Sequence, residues 1–157
     1  MATEVSSLVA DADAMRRLAI DVAKRCRAGD VVVLSGPLGA GKTTFTQGFA
    51  AGLQVAGAVT SPTFVIARVH RSTVGGPNLV HVDAYRLGGL AELDDLDLDA
   101  SLAESVTVVE WGEGLAEALS AEVVKVQIER DGNRLETVEP ASEERRVRLI
   151  WPPGRGG

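Results

Sequence analysis

Cysteine is all but missing from this chain. Cys26 is the only one in 157 residues, so no internal disulfide can form. With only two histidines beside it, a zinc site built from Cys and His is not expected. Cys26 itself reads as a small, buried, apolar residue on a helix. Long apolar runs are missing too, and none approaches the length needed to span a bilayer. The opening MATEVSSLVA has neither the cationic start nor the apolar stretch of a secretory signal, so the expectation is a cytoplasmic protein without membrane contact. Nor is there a surplus of positive charge. Lys and Arg total 16 against 22 Asp and Glu, a net charge of -6 with a pI near 4.9. Binding to a nucleic-acid backbone gains from counterions released by Lys and Arg, and this balance disfavours it. Any nucleic acid in the protein's work is expected to be held by a partner.

What is present fits one globular domain. Hydrophobic residues make up 45% and charged residues 24%, and a chain of this length buries about two thirds of its unfolded surface. No repeat and no linker divides it. Residues 1–151 are expected to form a single domain and 152–157, PPGRGG, a flexible tail.

Residues 11–27 carry Met15, Leu18, Ala19, Val22 and Cys26 at helical spacing, with AGD to end the helix. Residues 31–34 are a continuous and mostly β-branched apolar run, the pattern of a strand covered on both faces. A helix is predicted over 43–53, with Phe45, Phe49 and Leu53 inward. Residues 64–70 and 79–83 flank RSTVGGPN, whose Gly75, Gly76 and Pro77 form turns, so they read as a hairpin or loose strand pair. Further strands are expected at 106–110, 123–130 and 145–151. The acidic stretch 91–104 alternates Leu with Asp or Glu, which fits an amphipathic helix with a solvated face or a docking surface.

The chemistry centres on VVVLSGPLGAGKTTFTQGFA. Gly36, Gly41, Lys42 and Thr43 satisfy G-x-x-x-x-G-K-[ST] with a strand before and a helix after. Glycines open backbone torsions closed to other residues, so successive N–H groups can point inward around a phosphate chain. Pro37 has no N–H, so the donors are expected from Leu38, Gly39, Ala40, Gly41, Lys42, Thr43 and Thr44. Lys42 neutralises β- and γ-phosphate oxygens, the helix start adds partial positive charge, and the Thr43 hydroxyl is offered to Mg²⁺. ATP and Mg²⁺ are the expected cofactors.

Such a site needs a carboxylate at the end of a neighbouring apolar strand. Two strands end that way: VTVVE at Glu110 and LVHVD at Asp83. The first is the cleaner buried run, so Glu110 is favoured for the metal, with Asp83 behind it or orienting the attacking water. Between them and the loop lies TSPTF, 60–64, where Ser61 and Thr63 offer hydroxyls in a segment suited either to a switch ordered by γ-phosphate or to an ordinary turn.

GPLGAGKTT, SPTF, HVDAYRL and EW, in this order and at these separations, resemble the TsaE family (older name YjeE) over about residues 29–112. The resemblance implies an α/β, single-domain P-loop NTPase fold, with a central, mostly parallel sheet flanked by helices and antiparallel strands added. It implies an ATPase that joins the TsaB and TsaD proteins in making threonylcarbamoyladenosine in tRNA, hydrolysing ATP to drive or reset the transfer complex without touching the tRNA base. Carried over by position, residues 36–44 bind phosphates, Thr43 and Glu110 serve Mg²⁺, Ser61 to Thr63 form a switch-like loop, and Asp83 assists hydrolysis. Tyr85, Arg86 and Trp111 belong to the signature, as nucleotide or partner contacts, and Arg86 suits either transition-state charge or a structural ion pair. His81 fits a strand residue or a catalyst equally. The chain departs from the family's usual pattern at Pro37, Ala84 and Gly112, which bears on rate and fine geometry.

Two other readings have distinct signatures. A small P-loop kinase closes an arginine-bearing lid over the transferred phosphate, and no arginine cluster of that kind is present; EERRVR reads as a strand with one charged face. A nucleotide-gated binding module would bind tightly and turn over only incidentally.

Overall fold

The computed structural model describes residues 3–36, 41–57, 67–83, 104–110, 123–130 and 145–153. Among these, seven strands form one sheet: β1 (Thr3–Val9), β2 (Val31–Ser35), β3 (Ala67–His70), β4 (Asn78–Asp83), β5 (Ser105–Glu110), β6 (Val123–Arg130) and β7 (Arg145–Trp151). Their spatial order is β1-β7-β6-β2-β5-β4-β3. The four central strands run parallel, and antiparallel neighbours extend the sheet at both edges. Two helices, α1 (Ala12–Arg25) and α2 (Lys42–Leu53), pack on one face.

Helix α1 starts where Asp11, in extended conformation, turns its carboxylate back on the chain: Oδ1 accepts the Ala14 N–H at 2.8 Å. Asp13 in the first turn and Lys24 and Arg25 in the last suit the helix dipole. The helix ends at Cys26, whose φ of -83° and ψ of 155° are extended. Cys26 therefore lies just past the helix and is half-buried against the core, where the periodicity had predicted a buried residue within it. Asp30 Oδ2 then accepts the Arg27 N–H at 2.8 Å, and the Asp30 carbonyl accepts the Thr107 N–H at 3.0 Å, so the turn delivers β2 in register with β5.

The central strands alternate between two buried faces. Val32, Leu34, Val106, Val108, Leu79, Val124 and Val126 join Met15, Ala19, Val22, Phe45, Phe49 and Leu53 in the main core. Val31, Val33, Val80, Val82 and Val109 point the other way and are as fully buried. Burial on both faces explains why β2 reads as an unbroken apolar run and β5 as one broken only by Thr107.

Helix α2 presses closely on α1 through Gly48 and Gly52. A Cβ at Gly48 would lie 2.6 Å from the Arg16 carbonyl oxygen, and one at Gly52 would lie 2.8 Å from Ala23 Cβ. The β3–β4 turn is tied to the far end of α2. Ala56 N–H donates to the Arg71 carbonyl at 2.8 Å and Thr73 N–H to the Gln54 carbonyl at 2.9 Å. Within the turn, Ser72 Oγ accepts from Val74 and Gly76 N–H groups, and Asn78 Oδ1 accepts from Ser72 N–H.

Most predicted elements stand within two residues of their expected ends. The strand predicted over 64–70 is seen as 67–70, its first part lying outside the described residues, as do the acidic stretch up to residue 103 and the connection 131–144. Strand β1 was not anticipated. Pro152 is buried and Pro153 exposed, so packing continues one residue past β7.

Candidate nucleotide site

The site is built where β2 hands over to α2. Gly36 follows the last residue of β2, and Gly41 precedes the first residue of α2 with φ at 109°, a left-handed conformation that strains any residue with a Cβ. Gly41 offers no side chain to cap the helix, which leaves the first N–H groups of α2 to other acceptors. Lys42 opens the helix and is 7% exposed. Its ammonium donates to the Gly36 carbonyl at 2.6 Å, so the lysine reaches back across the loop it closes. Thr43 and Thr44 occupy the first turn, half-buried. One turn on, Thr46 Oγ1 donates to the Lys42 carbonyl at 2.9 Å, and Phe45 and Phe49 stack with centroids 6.2 Å apart, fixing the helix on its core face.

The carboxylates come from the neighbouring strands. In the β2–β5 ladder Leu34 pairs with Glu110, and in the β4–β5 ladder Asp83 pairs with Glu110. Glu110 and Asp83 thus end adjacent parallel strands beside the strand that feeds the loop, at the carboxyl edge where open α/β sheets bind their ligands. Glu110 is buried, and its Oε2 lies 2.7 Å from His81 Nε2. His81 is fully buried, and its Nδ1 has no hydrogen-bond partner among the described residues. The Asp83 side chain, and Leu38, Gly39, Ala40, Ser61, Thr63, Tyr85, Arg86 and Trp111, lie outside the described residues.

The structure therefore brings Gly36, Gly41, Lys42, Thr43, Thr44 and Glu110 to one edge of the sheet, with the Asp83 backbone next to Glu110. Sequence reasoning left His81 undecided between strand residue and catalyst. Their contact follows from the register: with β4 and β5 parallel and Asp83 opposite Glu110, His81 and Glu110 fall on the same face as neighbours on the diagonal.

The family described as "Threonylcarbamoyl adenosine biosynthesis protein TsaE" matches residues 9–138. The chain belongs to the TsaE family. Among TsaE proteins, that of Streptomyces coelicolor is 64% identical over 117 residues, covering 74% of this chain and 79% of the relative. The TsaE of Bacillus subtilis is 43% identical over 106 residues, covering 67% and 65%. Both are named tRNA threonylcarbamoyladenosine biosynthesis proteins. A crystal structure of YdiB from Bacillus subtilis superposes with a TM-score of 0.72 at 30% identity, covering 96% of this chain and 87% of that one. The TsaE-type α/β fold seen here is thus shared along nearly the whole chain.

For a metal at this site the donors among the described residues are hard oxygens, the Thr43 hydroxyl and the Glu110 carboxylate. Among the described residues no group of three or more His, Cys, Asp or Glu could hold an ion. That donor set fits Mg²⁺, which takes one or two protein oxygens and completes its shell with phosphate and water. Among the described residues no helix is long and apolar enough to cross a membrane.

Proposed function

We propose that this protein is a Mg²⁺-dependent ATPase of tRNA threonylcarbamoyladenosine synthesis, working in the cytoplasm and spending ATP on the cycle of the TsaB–TsaD transfer complex. The observation that carries the reading is the buried Lys42 ammonium at 2.6 Å from the Gly36 carbonyl, in a loop whose strand pairs directly with Glu110. A buried ammonium at the closing turn of a glycine-containing loop is suited to charge-assisted hydrogen bonds with the oxygens of a polyphosphate. On this reading the N–H groups of residues 38–44 cradle the phosphates, and Lys42 neutralises β- and γ-oxygens. Thr43 and Glu110 hold the Mg²⁺, which when bound spreads the charge that develops on the transferred phosphoryl group. Asp83, ending the strand beside Glu110, orients the attacking water. The protein's work is positioning and charge stabilisation, with no covalent intermediate on the chain.

The family's part in threonylcarbamoyladenosine synthesis supports the pathway, and the acidic charge supports a role in which tRNA is met only through partners. Phosphate release from ATP by the purified protein tests the chemistry. Slow release that requires Mg²⁺ and vanishes in Lys42→Ala is expected. ADP formation that depends on an added hydroxyl acceptor would point instead to a kinase, and tight binding with no turnover under any condition to a nucleotide gate.

A further inference from the structure

We propose that His81 is a positioning residue that fixes the Glu110 carboxylate for the metal of the nucleotide site; this rests on the reading of Glu110 as the metal-holding carboxylate. His81 and Glu110 sit on adjacent parallel strands, His81 opposite Val108 and Glu110 opposite Asp83. The histidine is therefore two residue pairs deeper in the sheet, on the face that α2 covers. From there Nε2 meets Oε2 at 2.7 Å, a distance typical of a charge-assisted bond, with the side chains 0% and 6% exposed. An ionised carboxylate at that distance requires the hydrogen on Nε2. One oxygen of Glu110 is thereby taken, and the other is left to a cation that uses a single carboxylate oxygen.

The pair is not explained by packing. Its neighbours on this face, Leu79, Val106 and Val108, are aliphatic and fully buried, and an aliphatic residue at 81 would continue that core. Instead the sheet buries an imidazole whose Nδ1 has no partner among the described residues, a cost with no return in the core itself. The return is at Glu110: a side chain with three rotatable bonds is held in one orientation by a rigid, fully buried ring. The same geometry removes His81 from direct chemistry. Nε2 is occupied by Glu110 and the ring is sealed from solvent, so it does not reach the attacking water.

The test is the gain in affinity that Mg²⁺ gives to a non-hydrolysable ATP analogue, measured by calorimetry with and without the ion. Glutamine can place a side-chain N–H near the position of Nε2; asparagine is too short to do so, and phenylalanine keeps the ring without the donor. His81→Asn and His81→Phe are expected to lose about tenfold or more of the Mg²⁺ gain, as when outer partners of metal ligands are removed. Their Mg²⁺-free affinity should be unchanged, and His81→Gln should retain most of the gain. Glu110→Gln should lose the gain as well. If Glu110→Gln loses it while His81→Asn and His81→Phe keep it, the proposal for His81 is overturned and the metal reading stands. If Glu110→Gln keeps it, the metal reading itself fails. Should His81→Phe not fold, the Asn and Gln pair decides; a series in which Gln too does not fold would make His81 a core residue and overturn the proposal.

Discussion

Replacing Gly48 with alanine tests how α2 is held. The added methyl would sit 2.6 Å from the Arg16 carbonyl oxygen, 2.7 Å from Arg16 Cα and 3.0 Å from Ala19 Cβ. The first two are backbone atoms of α1, so no rotamer change relieves the contact and the helices must move apart. Overpacking of this kind costs about 1–3 kcal/mol. Because the two closest atoms are backbone, the clash falls in the upper part of that range, about 2–3 kcal/mol; alanine returns about 0.5–1 kcal/mol of helix propensity, leaving a net loss of about 1–2.5 kcal/mol. At about 2–4 °C per kcal/mol for a chain of this size, the melting temperature should fall by about 2–10 °C. Gly76→Ala is the control, since its nearest neighbour would be 3.7 Å away, and it should melt with the parent. Because α2 begins at Lys42 and Met15 of α1 lies 3.4 Å from where a Gly41 Cβ would be, displacing α2 should also weaken nucleotide binding. The assay is thermal unfolding by circular dichroism beside ATP-analogue titration. Gly48→Ala melting at or above the parent would refute the close-packing argument.

Three further outcomes are expected. Asp11→Ala removes the cap on Ala14 N–H and should cost about 1 kcal/mol in urea unfolding without altering nucleotide affinity. Lys42→Ala should abolish ATP binding in calorimetry, since Lys42 is the one lysine in the loop sequence 36–44. Glu110→Gln should bind ATP yet fail to hydrolyse it; normal hydrolysis by Glu110→Gln together with its loss in Asp83→Asn would reverse the roles of the two carboxylates.

The parts of the fold that could be read from the sequence are those whose signal is local. Val31 to Leu34 are buried on both faces and apolar without interruption, Val106 to Val109 are broken only by the buried Thr107, and the glycines and Lys42 of the loop lie within eight residues of one another. Strand β1 has no such signal. Thr3, Glu4, Val5, Ser6 and Leu8 are exposed, and the strand is held at the sheet edge by its ladder to β7 and the Glu4–Arg148 ion pair, partners far off along the chain. The same holds within the site. The fit of Gly48 and Gly52 against α1 depends on which helix faces them, although G-x-x-x-G opposite Ala19 and Ala23 was a clue. The contact between His81 and Glu110 exists only once β4 and β5 are paired in one register. Burial patterns are written in single segments, whereas registers are set between them.

The central claim is that nucleotide is spent for a partner. The most direct measurement is the steady-state ATPase rate of the purified protein, alone and with the TsaB and TsaD proteins of the same organism, with Lys42→Ala as the blank. Slow turnover alone and strong stimulation by the two partners together is the predicted result. Turnover by the lone protein equal to that of the full mixture would contradict it.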